Sequence, residues 1–379
     1  MVLLVMAPLI SWVAWIYWPS HLLRVLIVDK TSSTPAGNER RSFNWILTYD
    51  KHLKPGGSEY SVKNDFRGFH PITQKQFALN GLEQISESRI DSLATRYDMV
   101  YFTDTYGVYW NDWSTMERPA DQPPLLYGGL QRQDLLFLQS MKKERKLILT
   151  EFNFFASPTR DSVRWAAEQI LDIHWTGWVG RYFSSLDTMN DELPRWAIQV
   201  YERQQKMLWP FHKSGIVLIH SSDTIVVLEN GSHLEKEIPI IITTADAQAQ
   251  FRVSEEQPYS FWFDITLTGP ANEVPAQYVL AVNPTGDSIL ARYRIPSRFP
   301  ALIRQKDAHR YYYFAGDFAD NPILDNWWAH FKGITWLKSF FYTKEDLSER
   351  KRFFWEYYLP MMSSILNEYQ GALVKENQL

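Results

Sequence analysis

The alternation of apolar and polar positions divides the chain into short buried runs separated by polar, glycine-rich stretches. LRVLIVDKT, residues 23–31, is a β-branched run ending in Asp29 and predicts a first buried parallel strand. Residues 32–70 are polar, with a helix expected over Arg41 to Tyr49 and a loop at KPGGSEY. A segment from Gln74 to Arg96, helical at its end, leads to a second strand, YDMVYFTDTYG, that stops at Asp104 and Gly107. A loop carrying Trp110, Trp113 and Pro123-Pro124 follows. Gly128-Gly129 then opens the helix LQRQDLLFLQSMKKER, whose Leu135, Leu136 and Leu138 suit one buried face. LILTEF is the third strand, and Asp161 is placed to cap the helix SVRWAAEQIL.

Strands alternating with helices indicate a parallel sheet covered on its faces. From 215 to 296 the texture changes to short β-rich runs split by Gly, Pro and Asn, which predict an antiparallel insertion or small subdomain. A last strong strand ends at Gly316-Asp317, and an aromatic tail from Asn326 onward is expected to be helical. The α/β domain is thus expected over 22–214 and 297–379.

The first eighteen residues, MVLLVMAPLISWVAWIYW, carry no charge and end in Trp15, Tyr17 and Trp18. An apolar run of roughly 17 to 25 residues spans a bilayer, and aromatic residues favour its boundary. With no basic leading region and no small-residue cleavage site, residues 1–20 are expected to be an uncleaved transmembrane helix. A buried hairpin or core helix, kinked at Pro8, is the alternative. Arg24, Lys30, Arg40 and Arg41 follow and would favour a cytoplasmic domain, but large domains translocate largely regardless of such charges. The expected placement is extracytoplasmic, with the orientation open.

Composition changes this picture in three ways. The chain has no cysteine, which removes disulfides, thiolate metal sites and cysteine nucleophiles together. A net charge of −4 without a basic block excludes a nucleic-acid partner. The 16 Trp, 20 Tyr and 22 Phe suit either a thick core or a sugar-binding cleft or membrane boundary.

Several stretches resemble a known family. YDMVYFTDTYGVY resembles the strand of class I glutamine amidotransferase-like domains that leads to the oxyanion loop. LLFLQSMKKER with KLILTEFNFF resembles the helix and strand that reach their nucleophile elbow. HRYYYFAGDFAD resembles the late strand of the ThuA-like group and of β-galactosidase trimerisation domains. The resemblance covers residues 23–180 and 300–320. It implies a mostly parallel, flavodoxin-like sheet flanked by helices, with a cleft at the strand carboxyl ends.

The departures matter as much. Catalytic members carry Gly-x-Cys-x-Gly at the elbow, where this chain has Thr150-Glu151-Phe152-Asn153, and no His-x-Glu pair follows the late strand. Without a thiolate, glutamine hydrolysis through a thioester has no nucleophile.

In an open parallel sheet, ligands bind beyond the carboxyl ends of the strands. Four strands here end in an acid: Asp29, Asp104, Glu151 and Asp317. Neighbouring strands lie about 4.8 Å apart. Asp104 and Glu151 on adjacent strands would therefore approach the roughly 5 to 9.5 Å spacing of glycosidase carboxylates. Repulsion between them would raise one pKa and set an acid beside a base.

Tyr106, Trp110 and Asn153 are candidates to stack on or hydrogen-bond a sugar. DIHWTGWVGRYF, 172–183, reads as a loop, with His174, Trp175 and Arg181 as a possible aromatic and cationic lid or as packing on the sheet edge. Catalysis by Glu151 and Asp104, ligand binding without chemistry, and simple capping or pairing with arginine all stay open.

No histidine spacing suggests a metal site, and no glycine-rich phosphate loop is present, so neither metal nor cofactor is expected. The leading expectation is a membrane-anchored ligand-binding module without thiol chemistry, concerned with carbohydrate in the cell envelope and with an envelope protein as a possible partner. A carboxylate-based glycoside hydrolase and a scaffold of a membrane complex are the alternatives.

Overall fold

The computed structural model describes residues 2–73, 76–113 and 124–376. The stretch around Pro123 and the start of the segment expected from Gln74 lie outside the described residues.

The N-terminal helix α1 spans Val2–Tyr17, 16 residues. At 1.5 Å per residue it is roughly 24 Å long, short of the roughly 30 Å hydrocarbon core of a bilayer. Among the described residues, no helix is long and apolar enough to cross a membrane, which corrects the expected transmembrane helix. Instead α1 docks on the domain through buried Trp15, whose indole N–H donates to the Thr48 carbonyl at 3.0 Å. The Lys51 ammonium donates to the carbonyls of Trp15, Ile16 and Trp18, placing a cation on the negative end of the helix.

Strand β1, Val25–Asp29, is buried throughout. Helix α2, Asn38–Tyr49, follows and begins three residues before the expected start. Next come β2, Arg67–Thr73, β3, Gln76–Leu79, helix α3, Glu87–Ala94, and β4, Met99–Asp104. Helix α4, Arg132–Lys143, leads to β5, Leu147–Glu151, and α5, Asp161–Leu171, comes after it. Arg160 occupies the N-cap position of α5 without a side-chain capping bond, and Asp161 is its first helical residue.

DIHWTGWVGRYF is not a loop: β6 spans Ile173–Phe183. Gly177 and Gly180 gave this segment its loop-like look. A Cβ on Gly180 would come 2.4 Å from the Phe263 ring, so close strand approach accounts for that glycine.

The remaining strands are β7, Gly215–His220, β8, Thr224–Glu229, β9, Ile240–Thr243, and β10, Glu256–Pro258. They continue with β11, Phe263–Thr268, β12, Asn272–Val279, β13, Arg298–Gln305, and β14, Tyr311–Phe314. A helical tail runs from Lys351 through a π-turn at Phe354–Tyr358 into α6, Leu359–Glu376.

Ten strands form one sheet in the order β10-β9-β12-β13-β14-β5-β4-β1-β2-β3. Four neighbouring pairs in it are parallel, running from β14 through β5, β4 and β1 to β2. Five are antiparallel. The sheet is therefore mixed, and the expected mostly parallel, flavodoxin-like sheet is corrected on that ground. The physical cause lies in residues 215–305. Their strands divide between the edge of this sheet and a second, antiparallel sheet of order β8-β7-β6-β11.

Within the parallel part, β1 lies between β2 and β4, so the chain winds outward to one side and then to the other. The strand order reverses between β1 and β4, and such a reversal opens a crevice at the carboxyl ends. One face of the sheet is covered by α2 and the tail: Tyr101 of β4 meets Phe43 of α2 edge-on at 4.9 Å and the Tyr358 hydroxyl at 3.1 Å. Alternation sends its neighbour Phe102 to the other face, where Phe154 packs on it. Much of the aromatic excess is core: Trp45, Tyr101, Tyr278, Tyr312, Tyr313, Tyr357 and Tyr358 are all under 2 % exposed.

Candidate functional site

The carboxyl ends of β1, β4, β5 and β14 lie along one edge of the parallel strands and bring Asp29, Asp104, Glu151 and Asp317 close enough to act on one another's charge. Asp29 pairs across the β1–β4 ladder with Asp104. Its carboxylate is used up within the chain. It accepts from the backbone N–H groups of Thr31 and Ser32 at 3.0 and 2.9 Å and from the Ser32 hydroxyl at 2.6 Å, and it pairs with the Arg40 guanidinium. Arg40, on the first turns of α2, also lies over the Phe66 ring at 3.5 Å.

Asp104 accepts from the Tyr106 backbone N–H at 2.6 Å and from the Asn153 side-chain amide at 3.4 Å. Burial pushes its carboxyl up to about 7, against the stabilising hydrogen bonds from Tyr106 and Thr31. Asn153 sits at φ 66, a left-handed position that Asn tolerates, in the turn closed by the Phe154 N–H on the Glu151 carbonyl at 3.1 Å. The Thr105 hydroxyl donates to the Asn153 carbonyl at 2.9 Å, tying the loops after β4 and β5 together.

Glu151 is 1 % exposed. Its Oε2 accepts from the Tyr101 hydroxyl at 2.8 Å and from the Ala319 backbone N–H at 3.2 Å, while Oε1 has no hydrogen-bond partner. Burial and the neighbouring charge of Asp317 raise its pKa well above the usual carboxylate range. Tyr101 in turn meets Tyr358, which connects the carboxyl to the π-turn of the tail.

Asp317 follows β14 and is buried, with Oδ1 unpartnered. Burial and the charges of Asp320 and Asp104 raise its pKa well above normal. Two further acids complete the group, and neither ends a strand. Glu39, half-buried in the first turn of α2, has its pKa raised by burial and then by Asp317. Asp320 pairs with the Arg350 guanidinium at 3.1 Å. Oxygen atoms of Glu39, Asp317 and Asp320 lie within 4.8 Å of one another.

The aromatic candidates divide. Tyr106 is 43 % exposed beside the acids and packs on the Tyr109 ring at 5.1 Å. Trp110 opens the short helix that follows Tyr109. Arg181, on β6, stacks on Phe261 and Trp262, pairs with Glu192 and feels the field of Asp317 and Asp320. His174 and Trp175 lie near the start of β6, away from the acids. His174 is exposed and 3.4 Å from Glu168, and Trp175 is buried under the Arg164 guanidinium.

A cavity of about 80 Å³ lies at the opposite, amino edge of the sheet, between Lys142, Lys146 and Arg310. Three of the cations that line it are already engaged: Lys142 and Lys146 donate to the Ile170 and Tyr97 carbonyls, and Arg310 pairs with Glu376.

No family model matches the chain, and no curated protein matches it. Among solved structures, it is similar to a Bacteroides uniformis protein described as ThuA-like. The TM-score is 0.36 at 7 % identity, covering 78 % of this chain and 82 % of that one. The likeness is of the same kind as the ThuA-like resemblance in HRYYYFAGDFAD, and at this level it carries no argument about function.

Proposed function

We propose that the acidic crevice is the binding site of an amidotransferase-like module without thiol chemistry, and that it takes a polyhydroxylated, carbohydrate-type ligand. One observation carries the reading. Asp104, with a carboxyl that titrates near neutral pH and can both donate and accept, lies beside the Asn153 amide and the exposed Tyr106 ring. Carboxyl, amide and aromatic face are the groups that hydrogen-bond and stack on sugars.

The geometry favours binding over hydrolysis. A glycosidase needs a second carboxylate facing the bond to be cleaved. Glu151 is sealed and has one oxygen held by Tyr101 and Ala319.

The test is a glycan array followed by calorimetric titration of any hit against wild type, Asp104→Asn and Tyr106→Ala. A drop of about tenfold or more in affinity is expected in each variant, with Glu151→Gln binding as wild type does. Failure to bind any glycan, or equal affinity in both variants, would overturn the reading.

A further inference from the structure

We propose that Glu39, Asp317 and Asp320 form a binding site for a hard divalent cation. The inference deepens the reading of the same crevice and rests on it only for what the ion would serve. The three side chains come from the first turn of α2 and the loop after β14, and one oxygen of each lies within 4.8 Å of the others. Oxygen ligands around Ca²⁺ sit at about 2.3–2.6 Å, so opposite ligands are about 4.6–5.2 Å apart; around Mg²⁺ the limit is about 4.2 Å. Oxygens within 4.8 Å of one another can share a single hard divalent ion.

Proximity of acids alone does not make a site. The second observation is that buried carboxylate oxygens here lack any partner. Asp317, 8 % exposed, has an orphaned Oδ1, and Glu39 has an orphaned Oε2. Glu151 Oε1 is orphaned as well, and its carboxyl feels the charge of Asp317 more strongly than any other. Buried acceptors are almost always satisfied, by protein, water or an ion.

Charge points the same way. Asp29 is neutralised by Arg40 and Asp320 by Arg350, but no cation pairs with Glu39 or Asp317 among the described residues. With all three carboxylates ionised and one guanidinium paired, two negative charges would remain, which one divalent ion would cancel. Hard carboxylate oxygens select Ca²⁺, Mn²⁺ or Mg²⁺ over softer metals. Arg350 holds Oδ2 of Asp320, which leaves Oδ1 for the ion.

The experiment titrates the chelator-treated full chain with Ca²⁺, Mn²⁺ and Mg²⁺, following heat release and thermal midpoint. One ion per chain is expected, with a midpoint that rises as the site fills. Asp317→Asn and Glu39→Gln keep side-chain volume and remove a charge from a crowded group, so both are expected to fold. Each should weaken the ion at least tenfold and abolish the rise in midpoint. No binding of any of the three ions at millimolar concentration, or undiminished binding in both variants, overturns the proposal. Because the titration contains no glycan, it can fail while glycan binding in chelator persists, and the reverse outcome is equally visible.

Discussion

At the scale of single residues, the crevice and its surroundings hold acids where water cannot stabilise their charge. Asp264 shows the consequence most simply. It is fully buried, hydrogen-bonded by the Tyr313 hydroxyl, and pushed by burial from near 4 up to about 7. A carboxyl with a raised folded pKa holds its proton in the folded chain over a range where the unfolded chain has released it. The stability from that proton is complete below about pH 4 and is lost as pH rises to about 7, on the order of 4 kcal/mol in all. Asp104 acts in the same direction. Urea midpoints of wild type are thus expected to fall between pH 4 and pH 7.5, and Asp264→Asn should flatten that slope. A variant with the wild-type pH profile would show that Asp264 is not the group titrating.

At the scale of elements, the crevice depends on how closely β1 and β2 approach. Gly68, at φ 149, stands opposite Asp29, and a Cβ there would lie 1.7 Å from the Asp29 carbonyl oxygen. Only a glycine lets the strands pair at the point where Asp29 must hold Arg40. Gly68→Ala is expected to cost at least 2 kcal/mol in denaturant unfolding, through strain and a forced shift of β2. A loss below 0.5 kcal/mol would mean that the strands part without penalty. The second element to note is the tail, whose π-turn delivers Tyr358 to Tyr101 and so to Glu151. π-turns inside helices recur at functional sites. Here the turn seals a buried carboxyl.

At the scale of the whole molecule, the two sheets share one core. Gly180 of β6 is pressed against Phe263 of β11, Phe263 stacks near Tyr278 and Phe299 of the large sheet, and Gly316 bridges back to Phe263. An apolar interior continuous across both sheets leaves no plane along which they could separate cheaply. Thermal unfolding followed by near-ultraviolet and by far-ultraviolet circular dichroism is therefore expected to give coincident transitions. Two resolved midpoints would show that the β6–β8 and β11 sheet unfolds on its own.

The local pattern determined the strands at 25–29, 99–104, 147–151 and 311–314, because a strand buried on both faces is written as a continuous apolar run. It also determined that each ends in or just before an acid, and that thiol chemistry is absent. What α1 does was not legible: an uncharged apolar segment reads alike whether it meets lipid or docks through Trp15. Nor was the mixed sheet, since short β runs carry no mark of which neighbour they will pair with. Glu39, Asp320 and Arg350 carry no mark in the sequence either. A first-turn glutamate and a loop aspartate look like ordinary caps until folding sets α2 beside the loop after β14, nearly 280 residues later in the chain. Sequence dictates burial and element type through local periodicity; only the long-range packing of the chain decides which acids share a crevice and which are left without a counter-charge.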